Sequence, residues 1–186
     1  MAIIAGIALT GGIAEGKTTV LDIAREQGWN VCSADELAKE VLEDEVTQSE
    51  IGLMLGMPVP LDRAALRNRV VHDSEARRKL NSAVHGLVWE RIVLEQADLV
   101  EIPLLVESCL QGKFRRTWVV TCGREQQLSR LEARLGNREA AVRMLATQLP
   151  TSVKCAFADR VIRTDLAIAD VQNHVVELLH SYRASN

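Results

Sequence analysis

The sequence offers no C-x-x-C pair. Its four cysteines, Cys32, Cys109, Cys122 and Cys155, are widely spaced. That argues against a zinc site or a disulfide framework and for free thiols in a reducing cytoplasm. No apolar run approaches the roughly 20 residues that a membrane-spanning helix needs. The N-terminus lacks a basic region followed by a cleavable apolar stretch. Its first apolar run leads straight into a glycine-rich loop, so no secretory signal is expected. Positive charge is not in excess: 22 Lys and Arg against 25 Asp and Glu give a net charge of −3. This argues against a general nucleic-acid binder and leaves only local basic patches. Repeats, low-complexity tracts and linkers are also missing. What remains is 186 residues, 47% hydrophobic and 25% charged. That is ordinary for a soluble globular chain and long enough for one α/β domain, with a sizeable core and an inserted subdomain.

The stretch around which the chain is organised is Gly11-Gly12-Ile13-Ala14-Glu15-Gly16-Lys17-Thr18, a match to G-x-x-x-x-G-K-[ST]. Ahead of it, Ile3 to Leu9 is a continuous apolar run, as expected of a buried parallel strand. Behind it, Val20, Leu21, Ile23 and Ala24 recur at helical spacing. Glycines let such a loop curl its N–H groups inward as an anion nest. The helix that follows adds free N–H groups and the positive end of its dipole. Lys17 supplies a point charge for the outer phosphates, and Thr18 a hydroxyl for Mg²⁺. Gly11 to Thr18, with Thr19 after them, are therefore the candidate nucleotide-binding residues. Glu15 brings a carboxylate close to a polyphosphate, and its side chain is expected to point to solvent.

Further along, Asn30 to Ser33 reads as a short second strand, with Asp35 just past its end before a helical run from Glu36. Residues 44–60 read as a short helix and a turn. Asp62 is a fair N-cap for a helix with Leu66, Val70 and Val71 on its apolar face. Asp73-Ser74-Glu75 opens another, carried to about Gln96 by Leu80, Val84, Leu87, Val88, Ile92 and Val93. Strands follow at Leu99–Leu105 with its exit, at Thr117–Cys122 and at Ala158–Arg163. Helices are expected from Glu125 to Arg134, from Arg138 to Leu149 and from Leu166 to about Tyr182. This alternation implies a parallel sheet covered on both faces. Residues 36–96 form a helical insertion beside it.

Four constellations carry chemistry. Lys17, Thr18 and Asp35 suit phosphoryl transfer, which needs positioning, charge neutralisation and an acceptor for a proton. Asp35 is a base, a second-shell Mg²⁺ partner or a helix N-cap. Gln127, Arg130, Arg134, Arg138 and Arg143 flank the Gly136-Asn137 break. They read as an arginine-bearing lid over phosphates or as a solvated face pairing with Glu132 and Glu139. Arg63, Arg67, Arg69, Arg77, Arg78 and His85 suggest an anionic acceptor or ordinary surface charge. In Pro103-Leu104-Leu105-Val106-Glu107, Glu107 either touches acceptor or metal-bound water or caps a short helix.

Together these residues resemble the dephospho-CoA kinase family. The resemblance runs through Ile7-Ala8-Leu9-Thr10-Gly11-Gly12-Ile13, Gly16-Lys17-Thr18-Thr19-Val20, Ala34-Asp35 with Ala38, and Arg63, Leu66, Arg69 and Val70. It continues through Leu80-Asn81 with His85, Pro103 to Glu107, Gln127, Arg130, Arg134, Gln148, and Ala158-Asp159 with Val161-Ile162. The resemblance implies a P-loop kinase fold: three α/β/α layers around a five-stranded parallel sheet. Residues 1–35 and 97–186 would be the core, with a lid at about 134–143, and 36–96 would bind the acceptor. It implies transfer of the ATP γ-phosphate, with Mg²⁺, to the ribose 3′-hydroxyl of dephospho-CoA. Asp35 would be the base, Lys17, Arg134 and Arg138 would act on the phosphates, and Arg63, His85, Pro103, Leu104 and Glu107 would meet the acceptor. A cytoplasmic monomer or weak homo-oligomer is expected, with neither nucleic acid nor membrane as partner. The chain departs from the family at Ala14 (usually Gly), Glu15 (Ser), Ser33 (Asp), Gly86 (Pro), Leu135 (Asp) and Thr164-Asp165-Leu166 (an Asn-x-Gly-like segment where adenine contacts are expected). These departures mark a divergent member. Two alternatives accompany the reading: another small-molecule P-loop kinase with a nucleoside or sugar-acid acceptor, and a nucleotide-binding regulator that has lost catalysis. A GTPase is disfavoured because no N-K-x-D stretch is present.

Overall fold

The computed structural model describes residues 4–184; Ile3, the first residue of the expected opening strand, lies outside them. The strands are β1 (Ile4–Thr10), β2 (Val31–Ser33), β3 (Leu99–Glu101), β4 (Phe114–Thr121) and β5 (Arg160–Arg163). They pair in the order β2-β3-β1-β4-β5, and every pairing is parallel. β1 lies at the centre because its residues are apolar on both faces: Ile7, Ala8 and Leu9 are fully buried. The expected α/β class with a five-stranded parallel sheet is the one the chain adopts.

The chain divides into two compact units, Met1–Ser33 with Gln96–Asn186, and Ala34–Glu95. The first holds the sheet. Helix α1 (Lys17–Glu26) and the closing helix α9 (Ile168–Ala184) bury Val20, Leu21, Ile23, Val171, Val175 and Leu179 together with Ile7, Leu9, Trp118 and Ile162. Helices α6 (Arg124–Leu135) and α7 (Arg138–Leu145) form a smaller cluster through Leu131, Ala141 and Leu145, onto which Ile13, Ala14 and Leu128 pack. Gly136, in the left-handed conformation, ends α6. Asn137 caps α7, its Oδ1 accepting from the Ala140 N–H. The break read from Gly136-Asn137 is therefore a C-cap followed directly by an N-cap.

The second unit is all helix: α2 (Ala34–Glu43), α3 (Glu45–Leu55), α4 (Arg63–His72) and α5 (Ser74–Glu95). Asp62 caps α4 as expected, taking the N–H groups of Ala64 and Ala65. Asp73 does the same for α5 at Glu75 and Ala76. Ala76, Val84, Val88 and Ile92 are the buried residues of the long α5, which packs on α2, α3 and α4. Val71 and Val93, expected on apolar faces, are 61% and 45% exposed. Val93 lies one step around α5 from buried Ile92, and α4 buries only Leu66, so helical spacing alone does not settle which side is inward.

Several boundaries differ from expectation; β4, for one, opens at Phe114 and not at Thr117. The helix expected to run from Arg138 to Leu149 stops at Leu145, because the Leu149 N–H goes to Glu107 and the Gln148 side chain turns to the loop. A short helix, α8 (Thr151–Cys155), follows Pro150 and was not expected. Among the described residues no helix is long and apolar enough to cross a membrane.

Candidate active site

The loop between β1 and α1 is braced by side chains from elsewhere in the sheet-bearing unit. Gln127 Nε2 donates to the Ile13 carbonyl at 3.0 Å, and the Ile13 N–H donates to Gln148 Oε1 at 3.0 Å. Thr164, just past β5, donates its hydroxyl to the Glu15 carbonyl at 2.7 Å. Arg130 holds Thr164 in turn, donating to its Oγ1 at 3.2 Å and its carbonyl at 2.6 Å. Gln127 and Arg130, expected among a basic set over the phosphates, are thus spent on the loop and its support. Thr164, at one of the departures from the family pattern, also belongs to that support.

The loop glycines are required by this packing. A Cβ on Gly12 would come within 2.3 Å of Gln127 Nε2, and Gly16 has φ +87°. Ala14 has φ 61° without being glycine. A left-handed residue carrying a Cβ costs roughly 1–2 kcal/mol. Ala14→Gly is accordingly expected to raise stability by about 0.5–1 kcal/mol, after the added freedom of the unfolded chain is subtracted. The denaturant midpoint measures it.

Lys17 opens α1. Its Nζ donates to the Gly11 and Gly12 carbonyls at 3.2 and 3.0 Å and lies 3.9 Å from Glu101 Oε1. The cation is thereby held over the loop. α1 has no side-chain cap at its N-terminus and no acid in its first turn, so its leading N–H groups and dipole favour an anion there. Thr18, also in that first turn, is exposed.

Glu101 was not singled out from the sequence. It ends β3, in register with Leu9 of β1 and Ser33 of β2. The Ser33 hydroxyl donates to its Oε2 at 2.9 Å. An acid closing the apolar run Leu99-Val100 was the available signal. The geometry also accounts for serine at position 33, since an aspartate there would set a second carboxylate against Glu101.

Glu15 corrects an expectation. Its side chain is 1% exposed, not turned to solvent. The left-handed residues on either side of it, Ala14 and Gly16, reverse the chain and direct the side chain under the loop. Burial, the largest influence, pushes its pKa above the usual carboxylate range. The Thr151 and Thr121 hydroxyls, Lys17 and the Gly12 backbone draw it partly back.

The segment after β3 is tied down by a buried cation. Lys154 of α8 is fully buried; its Nζ donates to the Pro103 carbonyl at 2.7 Å and pairs with Glu107 Oε1 at 2.9 Å. The same Glu107 oxygen accepts the Leu149 N–H at 3.0 Å. Burial opposes the Glu107 charge most strongly, but Lys154 and the backbone N–H groups outweigh it, and the net pKa is lowered. Glu107 is therefore an internal brace and does not cap the turn that follows. Leu104 is 43% exposed. Lys154, a lone cation among Val153, Cys155 and Ala156, was missed in the sequence. Lys154→Met leaves the half-buried Glu107 without its cation and is expected to lower stability by about 1–3 kcal/mol, read as a fall in the unfolding midpoint.

The remaining candidates are exposed. Arg134 is solvated, Arg138 pairs with Glu132 at 2.8 Å, and Arg143 lies 3.5 Å from Glu139. These two pairs are the solvated-face alternative read from the sequence. In the helical unit, Asp35 is exposed in the first turn of α2. That helix begins at Ala34, so Asp35 lies past the N-cap position. Arg63 pairs with Glu43, Arg69 pairs with Asp73, and Arg67, Arg77, Arg78 and His85 are exposed.

A cavity of about 390 Å³ opens beside the loop, lined by Cys122, Gly123, Arg124, Glu125, Gln126, Arg163 and Asp165. The Cys122 thiol lies 3.9 Å from the Ala14 carbonyl, which joins the cavity to the loop. Arg163 Nε donates to Asp165 Oδ1 at 2.9 Å, and this guanidinium holds the Asp165 pKa at about 2. Among the described residues no group of three or more His, Cys, Asp or Glu could hold a metal by protein ligands alone.

A family model described as dephospho-CoA kinase matches residues 5–170. The chain is 36% identical to a dephospho-CoA kinase of Methylococcus capsulatus, covering 95% of this chain and 96% of that one. Among solved structures, a Thermus thermophilus protein superposes with a TM-score of 0.77 at 29% identity, over 96% of this chain and 98% of that one. A dephospho-CoA kinase from Campylobacter jejuni does so with a TM-score of 0.73 at 26% identity, over 97% and 98%.

Proposed function

We propose, on the premise that the chain belongs to the dephospho-CoA kinase family, that it transfers the γ-phosphate of ATP to the ribose 3′-hydroxyl of dephospho-CoA, the last step of coenzyme A synthesis. The observation that carries the reading within this chain is the braced loop, with the Lys17 ammonium held on the Gly11 and Gly12 carbonyls.

The residues divide the work. The N–H groups of Gly11 to Thr19 bind phosphate oxygens, and Lys17 neutralises the charge that develops on the transferring group. The Thr18 hydroxyl and, through water, Glu101 are the oxygen donors that fit Mg²⁺, an ion that keeps several waters and needs few protein ligands. When bound, it supplies further charge neutralisation. Asp35 takes the proton of the acceptor hydroxyl. Arg134 and Arg138 serve the phosphates from the lid at about 134–143, Arg138 exchanging its exposed Glu132 partner for them. The helical unit, with Arg63 and His85, binds the anionic acceptor. The cavity lined by Arg124 and Asp165 takes the nucleotide base. The protein works in the cytoplasm as a monomer or weak homo-oligomer.

An acceptor panel tests this. Dephospho-CoA should support ADP formation well above adenosine or shikimate, with a product that co-elutes with authentic coenzyme A. Equal or faster turnover with a nucleoside or sugar acid would overturn the acceptor assignment.

A further inference from the structure

The phosphate chemistry makes no use of the Glu15 side chain, yet the fold encloses it. The carboxyl packs under the loop, with its Cδ 3.5 Å from where a Cβ on Gly12 would sit. Thr121 at the end of β4, Thr151 at the start of α8 and Lys17 on α1 border it. Two thiols, Cys122 and Cys155, complete the titratable neighbours, and burial pushes both away from ionisation. Two cations of the packed helices are committed elsewhere: Arg130 of α6 to Thr164, and Lys154 of α8 to Glu107 and Pro103. Glu15 Oε2 and Thr151 Oγ1 are both buried, and although the Thr151 and Thr121 hydroxyls lie near enough to favour the Glu15 charge, neither completes a hydrogen bond of full geometry to Oε2. A carboxylate in that position has too little solvation to carry its charge at low cost.

The loop exists to concentrate positive potential for a polyphosphate. An ionised Glu15 beneath it subtracts from that potential, and a bound polyphosphate repels the ionised form. The two events are linked and reciprocal.

We propose that nucleotide binds preferentially to the form of the chain in which the Glu15 carboxyl holds its proton, so that ATP affinity weakens as pH rises. The proposal rests on the kinase reading and adds a proton to its binding step. A serine at this position, usual in the family pattern, carries no such charge. The sign for stability follows. The fold raises the Glu15 pKa, so the folded chain binds more protons than the unfolded one between the ordinary carboxylate value and the raised one. Stability is full below that window and falls as pH rises through it.

The test measures ATP dissociation constants at saturating Mg²⁺ from about pH 4, below the ordinary carboxylate value, to about pH 9 for the wild type, E15Q and E15S, with Tm of the nucleotide-free proteins alongside. The ionisation of ATP itself is common to all three. Expected is an additional weakening of about fivefold or more in the wild type across the range, and a Tm advantage of both variants that grows with pH. E15S keeps the test valid if E15Q folds poorly. Parallel affinity curves, or a Tm difference independent of pH, overturn the proposal while leaving the kinase reading in place. Absence of ATP binding at every pH overturns that reading, and the proposal with it.

Discussion

Lys17→Ala is expected to lower kcat/KM by about 10³-fold, equivalent to about 4 kcal/mol of transition-state stabilisation. The ammonium it removes is the one held on the loop's own carbonyls, at Gly11 and Gly12, at the head of a helix whose first turn carries no acid. Its charge acts where phosphoryl oxygens become more negative, so kcat should fall along with ATP affinity. The fold should survive. The Gln127, Gln148 and Thr164 contacts that shape the loop do not involve Lys17. Steady-state kinetics with ATP as the varied substrate, together with a thermal melt, separate the two effects. A large fall in Tm would mean that the lysine is chiefly a structural residue of the loop.

Asp35→Asn is expected to lower kcat by about 10²- to 10⁴-fold, the range for a positioned general base, with the KM for ATP unchanged. Asp35 is exposed, so the stability cost should be confined to its favourable place in the first turn of α2, about 0.5 kcal/mol. A second-shell role toward Mg²⁺ predicts something different: a raised Mg²⁺ requirement, with kcat restored at high Mg²⁺. Titrating the metal at saturating ATP and acceptor distinguishes the two roles.

The contrast between these residues and those the sequence did not disclose is physical. Lys17 was legible because a phosphate cradle needs glycines, a lysine and a hydroxyl at fixed spacing between a strand and a helix, and all of these are local. The alternation of strands and helices, and with it the parallel sheet, was legible for the same reason. Lys154 and its pairing with Glu107 were not, because that pairing is long-range and exists only once α8 has formed. Glu101 needed the register of β2, β3 and β1 to be seen beside Ser33 and Lys17. Glu15 was misread because its direction depends on two left-handed neighbours, one of them the alanine at position 14. Arg130 and Gln127 were grouped with Arg134 and Arg138 because all four recur along α6 and the start of α7. Only the packing shows that the first two turn inward to the loop and its support, while the others are exposed. The departures at Ser33 and Thr164 acquire local reasons of this kind. For Gly86 and Leu135, both exposed, the structure offers none.

The most direct test of the central claim is ADP release with Mg²⁺ and ATP, with and without dephospho-CoA, for the wild type, Lys17→Ala and Asp35→Asn. The account predicts release that depends on dephospho-CoA and is lost in both variants. ATP binding with no acceptor-dependent release, or equal release by Asp35→Asn, would contradict it.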